Sequence, residues 1–90
     1  MKADSKAVKR QLAIAKGQLE GLTKMVDQDA YCMDVSNQLL ATIALLKRLN
    51  LLVLQAHLEG CVKAAAKSQD EKDLDAKIAE VETVLKRMGN

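Results

Sequence analysis

The sequence has no proline, phenylalanine or tryptophan, and Tyr31 is its only aromatic residue. Strand-rich folds draw on aromatic and β-branched residues and on turn formers, so their shortage weighs against a sheet. Histidine occurs once, as His57, and cysteine twice, as Cys32 and Cys61. The opening MKADSKAVKRQ lacks the apolar stretch of a signal peptide. No run reaches the roughly 18 uninterrupted apolar residues of a membrane span. These absences set the expectation of a cytoplasmic chain without a membrane partner, in which two reduced cysteines serve metal or redox chemistry before a structural disulfide. An enzyme is not expected either: no pocket-forming carboxylates and no nucleophile–base pair outrank metal ligation, which leaves no small-molecule substrate to predict.

What fills the chain instead is Leu, Ala, Val, Ile and Met, the residues of helices packed on helices. The predicted class is all-α, with residues 1–90 forming one small domain. Three thin helices cannot bury this much apolar surface alone, so self-association as a homodimer or homotetramer is expected. The net charge of +2 is unevenly placed. Lys2, Lys6, Lys9, Arg10, Lys16 and Lys24 face only Asp4 and Glu20 within residues 1–26. A basic segment of this kind suits nucleic acid, and it equally suits a solvated helix.

Asp4 or Ser5 can cap a first helix running to about Asp27, with Leu12, Ala15, Leu19, Leu22 and Val26 as its apolar stripe. Gly17 and Gly21 interrupt that helix and suggest a close helix contact. Asp29, in the polar break at residues 27–30, is placed as the cap of the second helix. That helix is expected from Tyr31 to about Ala65. Its middle, from Leu39 to Leu54, is apolar on several faces, which predicts burial by more than its own chain. Ser68, Gln69, Asp70 and Glu71 match a capping box for a shorter third helix, which carries Leu74, Ile78, Val81 and Leu85 and stops at Gly89.

His57 and Cys61 stand at i and i+4, one helical turn apart on one face, where an imidazole and a thiolate can grip one ion. Cys32 lies 29 residues before Cys61. At about 1.5 Å per residue that is roughly 43 Å of helix, too far for the three to share a metal within one chain. Two such helices packed antiparallel remove the difficulty, because Cys32 of one protomer then meets His57 and Cys61 of the other. Two-fold symmetry gives two sites, and the same packing makes a four-helix bundle with the first helices. Two thiolates and one imidazole suit Cu(I). Structural zinc wants a fourth ligand, and nickel or cobalt more nitrogen and oxygen donors.

The runs Gly17-Gln18-Leu19-Glu20-Gly21-Leu22, Asp29-Ala30-Tyr31-Cys32 and His57-Leu58-Glu59-Gly60-Cys61-Val62 resemble the copper-sensing repressors of the CsoR/RcnR family across nearly the whole chain. The resemblance implies a helical dimer that pairs into a disc-shaped tetramer, a dimer of dimers. It also implies repression of metal-resistance genes and release of operator DNA when Cu(I) binds between protomers. It assigns Cys32, His57 and Cys61 as the copper ligands and Tyr31 as a neighbour of the site. Glu80 matches the third-helix carboxylate that couples ligand to DNA release, provided a few extra residues sit in the connection after Cys61. Lys47 and Arg48 match a basic position of the family's second helix, and with Lys9, Arg10 and Lys16, which lie close to the family's basic first-helix positions, they are the candidate DNA contacts. Nickel and cobalt members use additional histidines, formaldehyde sensors carry proline where Lys2 stands, and persulfide sensors lack the histidine at His57. The chain departs from the family at Gln11 and Ile14, where arginine is common. That departure keeps open a copper- or persulfide-binding homologue with weakened or lost DNA binding.

Overall fold

Asp4 opens the first helix, its carboxylate accepting a hydrogen bond from the Lys6 backbone N–H at 3.0 Å. The computed structural model describes residues 1–68 and 71–89, with the side chains of 65, 66 and 68 set aside. It contains α1 (Ser5–Asp27), α2 (Cys32–Ser68) and α3 (Glu71–Met88), and no strand among the described residues. The all-α expectation is met, with the third helix the shortest.

The end of α1 differs from the sequence reading in an instructive way. The Asp29 N–H donates to the Val26 carbonyl at 3.1 Å, and the Ala30 N–H to the Met25 carbonyl at 2.9 Å. Those two bonds form a Schellman ending, whose left-handed residue is Asp29 at φ 55°. Asp29 therefore terminates α1 and does not cap α2. Tyr31 takes the capping position, its backbone carbonyl accepting from the Asp34 and Val35 N–H groups at 3.0 and 3.2 Å. α2 runs on to Ser68, past the expected end near Ala65. Lys63-Ala64-Ala65-Ala66-Lys67 is strong helix-forming sequence, and helix propensity outweighs the cap reading of Ser68. Gln69 and Asp70 of the expected capping box lie outside the described residues.

The chain packs as two units, residues 4–50 and residues 1–3 with 51–90. In the first, α1 buries Ala15 and Leu22, and the early part of α2 buries Thr42, Leu45 and Leu49. Thr42 is only 3% exposed. Its hydroxyl donates to Gln18 Oε1 of α1 at 2.7 Å, lies 3.1 Å from the Gln38 carbonyl and accepts from Gln38 Nε2 at 3.5 Å. A buried hydroxyl needs such partners, and here they tie α1 to α2. Gly17 and Gly21 do not make the expected close contact within the chain, since nothing lies within 4 Å of a Cβ built on either. In the second unit Ala3 and Val81 are buried.

Much of α2 is left uncovered. Leu39, Leu40, Ile43, Leu46, Leu51 and Leu52 are between 40% and 61% exposed. Covering what remains of each would stabilise by roughly 1 kcal/mol per side chain. Within Cys32–Ala64 an 18-residue window reaches a mean hydropathy of 1.6, so α2 is long and apolar enough to cross a membrane by length and composition. Lys47 and Arg48 stand exposed midway along it. Each would cost about 2.5–3.5 kcal/mol at a bilayer centre, which favours a protein surface over lipid as the cover.

Candidate metal centre

His57 and Cys61 project from consecutive turns of α2, both half-buried, with Cys61 Sγ 3.8 Å from His57 Nε2. The helix sets the two side chains one turn apart on one face, and their conformations close the remaining gap. With metal–sulfur and metal–nitrogen bonds of about 2.3 and 2.0–2.1 Å, two donors at 120° stand roughly 3.8 Å apart and two at the tetrahedral angle roughly 3.6 Å. The observed separation fits one edge of a trigonal site without further movement. Between the pair, Gly60 makes room for the N-terminal segment: a Cβ there would meet side-chain carbons of Lys2 at 3.0–3.2 Å.

Cys32 is the first residue of α2 and is exposed. It borders an apolar cleft of about 320 Å³ lined by Val26, Asp29, Ala30, Val35, Ser36 and Leu39. The Asp29 turn leads the chain into α2 and brings Cys32 to the lining of this cleft. Neighbouring Tyr31 is 70% exposed. Both cysteines lie on α2, Cys32 at its first residue and Cys61 in its last third. One chain thus brings His57 and Cys61 together and does not add Cys32. Among the described residues no three of His, Cys, Asp and Glu gather into a metal-holding group. Glu80 is exposed on α3 and, among the described residues, makes no hydrogen bond to His57 or Cys61.

The basic residues lie in the unit of residues 4–50. Lys9, Arg10 and Lys16 are exposed on α1, with Lys9 and Lys16 two turns apart on one face, and Lys47 and Arg48 are exposed on α2. Gln11 is half-buried. Ile14 is 47% exposed and lines a shallow groove with Gly17, Gln18, Gly21, Met25 and Gln38. The sequence reading missed two features. Thr42 was the one signal of its polar tie, a hydroxyl inside the run Leu39 to Leu46. Lys63 and Lys67 were visible as an i, i+4 pair, but the approach of Lys2 to that stretch arises only on folding.

Residues 4–87 match the family described as metal-sensitive transcriptional repressor. The copper-sensing transcriptional repressor CsoR of Mycobacterium ulcerans (strain Agy99) is 43% identical over 60 residues, covering 67% of this chain and 51% of that protein. This chain thus spans about half the length of such relatives. Solved structures share the fold, among them the two that follow. The nickel-responsive transcriptional regulator InrS superposes with a TM-score of 0.78 at 25% identity, covering 98% of this chain and 96% of that one. The copper-sensing repressor CsoR with Cu(I) from Geobacillus thermodenitrificans NG80-2 gives 0.77 at 27% identity, covering 94% and 85%.

Proposed function

Because the chain belongs to the metal-sensitive transcriptional repressor family, we propose that it is a cytoplasmic, Cu(I)-responsive repressor, and not an enzyme, whose metal-free form holds operator DNA and whose copper-loaded form lets it go. The observation that supports this reading is the His57–Cys61 pair, a thiol and an imidazole 3.8 Å apart. Cys32 of a second copy is the third donor. The antiparallel dimer that delivers it also covers the exposed leucines of α2, so one assembly satisfies ligation and burial together. A dimer of dimers would repeat the basic patch four times.

The donor set selects the ion. Thiolates favour Cu(I) over harder ions, and three protein donors suffice for it. With one histidine in the sequence, the chain lacks the further nitrogen donors that nickel or cobalt would want. Bound Cu(I) supplies a fixed link between two protomers. The chain's residues do the rest: Cys32, His57 and Cys61 orient the α2 ends, and Tyr31 and Glu80 reach the ligand shell from the assembled dimer through hydrogen bonds to His57. DNA affinity falls only by the preference of the effector for the weak-binding conformation, and the coupling is reciprocal. Lys9, Arg10, Lys16, Lys47 and Arg48 supply salt-dependent phosphate contacts. Among the described residues no helix-turn-helix sets a recognition helix for the major groove, so shape readout is the expected source of specificity.

A gel-shift titration of upstream DNA with and without Cu(I) tests the reading. Complex formation by metal-free protein and its loss on copper addition support it, and a metal-free protein with no affinity at low salt sinks it. Ile14 motivates a second reading, because it places an exposed apolar side chain on α1 where the resemblance leads one to expect arginine. A copper- or persulfide-handling homologue that has lost DNA binding would keep Cu(I) affinity or form a Cys32–Cys61 link between chains, yet leave no footprint.

A further inference from the structure

The face of α2 formed by Ala56, Glu59, Gly60, Lys63, Ala64 and Lys67 recurs at three- and four-residue steps, so it makes one stripe along the helix. Together with Lys2 these residues line a cleft of about 430 Å³. The N-terminal segment reaches it because Ala3 is buried against this unit, and because Gly60 leaves space for the methylenes of Lys2. Among the described residues, three ammonium groups therefore border the cleft against one carboxylate, Glu59. Lys63 and Lys67 are exposed and one turn apart, which spaces them about 6 Å along the axis. Backbone N–H groups in mid-helix are already bonded within the helix, so the cleft has no cage of donors for one small anion. It has a row of point charges on flexible stems, the arrangement that meets a row of phosphates without reading bases.

We propose that Lys2, Lys63 and Lys67 form a second DNA-phosphate contact surface, additional to the one assigned to α1 and the middle of α2. This inference rests on the reading of the chain as a DNA-binding repressor. The surface occupies the same turns of α2 as His57 and Cys61, so a change in how those two are held passes to the lysine row with no intervening element. Phosphate contacts and effector site share one piece of backbone.

The test uses the full chain and a mixed-sequence DNA duplex, with affinity measured over a range of salt. The triple variant Lys2→Gln, Lys63→Gln, Lys67→Gln is expected to bind at least about tenfold more weakly at low salt. Its slope of log affinity against log salt should fall by about one for each lysine that met a phosphate. Glu59→Gln, which removes the one carboxylate among the described residues lining the cleft, is expected to bind more tightly. A second triple variant, Lys24→Gln, Lys72→Gln, Lys77→Gln, makes the same change in charge elsewhere and should leave the slope nearly unchanged. Far-UV circular dichroism and Cu(I) affinity, unaltered in the first variant, show that the fold and metal pair survive. A slope unchanged in the first variant, or equal losses in both triple variants, overturns the assignment while leaving DNA binding intact. Binding of inorganic phosphate that the first triple variant abolishes, with its salt slope for DNA unchanged, would assign the cleft to a free anion and also overturn it. A wild-type chain that binds no duplex at the lowest salt removes the proposal and the repressor reading together.

Discussion

Thr42→Val asks whether a polar tie inside an apolar helix pair holds α1 to α2. The hydroxyl is nearly sealed from solvent and has one proton, which its shortest contact, Gln18 Oε1 at 2.7 Å, takes. Valine keeps the shape and removes that donor. A hydrogen bond of this kind contributes about 0.5–1.5 kcal/mol net, and a stranded buried acceptor costs up to roughly 1–3 kcal/mol. Gln18 and Gln38 are only half-buried, so water recovers part of the loss, and the added methyl group offsets a little more. The expected destabilisation is about 1–2 kcal/mol, or roughly 5–10 °C in Tm for a chain of this size. Urea and thermal unfolding at one fixed protomer concentration measure it, because stability of an oligomer depends on concentration. A Gln18→Ala, Thr42→Val double-mutant cycle should return a coupling of about 0.5–1.5 kcal/mol. If Thr42→Val is as stable as the wild type, or the cycle shows no coupling, the tie is not what joins the helices.

Other substitutions follow from the same geometry. Asp29→Gly relieves a left-handed residue and should leave stability unchanged or raise it by under about 1 kcal/mol, whereas Asp29→Val should lower it by more than about 1 kcal/mol in thermal unfolding. Gly60→Ala should gain up to about 1 kcal/mol of helix propensity at the cost of shifting the flexible Lys2 side chain, a balance that urea unfolding resolves. Metal binding needs neutral His57 and deprotonated thiols, so Cu(I) affinity should weaken as pH falls, with proton release measurable by calorimetry. Glu80→Gln should leave Cu(I) affinity within a few-fold of wild type while reducing the copper-induced loss of DNA affinity; equal DNA release in variant and wild type would remove Glu80 from the coupling.

What could be read before folding was whatever local geometry decides. Asp4 precedes an amphipathic stripe and caps it, and His57 and Cys61 lie one turn apart wherever a helix forms. Asp29 misled because aspartate serves both as a helix cap and as a tolerated left-handed residue. The start of α2 at Cys32 decides between them, since a capping residue stands directly before its helix. The Gln18–Thr42 tie spans 24 residues, and a periodicity reading assigns polar residues to the surface. The glycines of α1 illustrate a different limit: their small size is unused within one chain, so no intrachain contact explains them. For Cys32 the helix length is legible and the partner is not, because its proposed ligand companions belong to another copy.

That inter-subunit assignment is the centre of the account, and a mixing experiment addresses it. Cys32→Ala chains retain His57 and Cys61, while His57→Ala, Cys61→Ala chains retain Cys32. Each variant alone should lack tight Cu(I) binding. After unfolding together and refolding, half of the dimers are mixed and each mixed dimer regains one complete site, so about a quarter of the wild-type capacity should return. Competition with a Cu(I) chelator reads that recovery directly. No recovery in the mixture, or undiminished affinity in Cys32→Ala alone, would contradict a site shared between two chains.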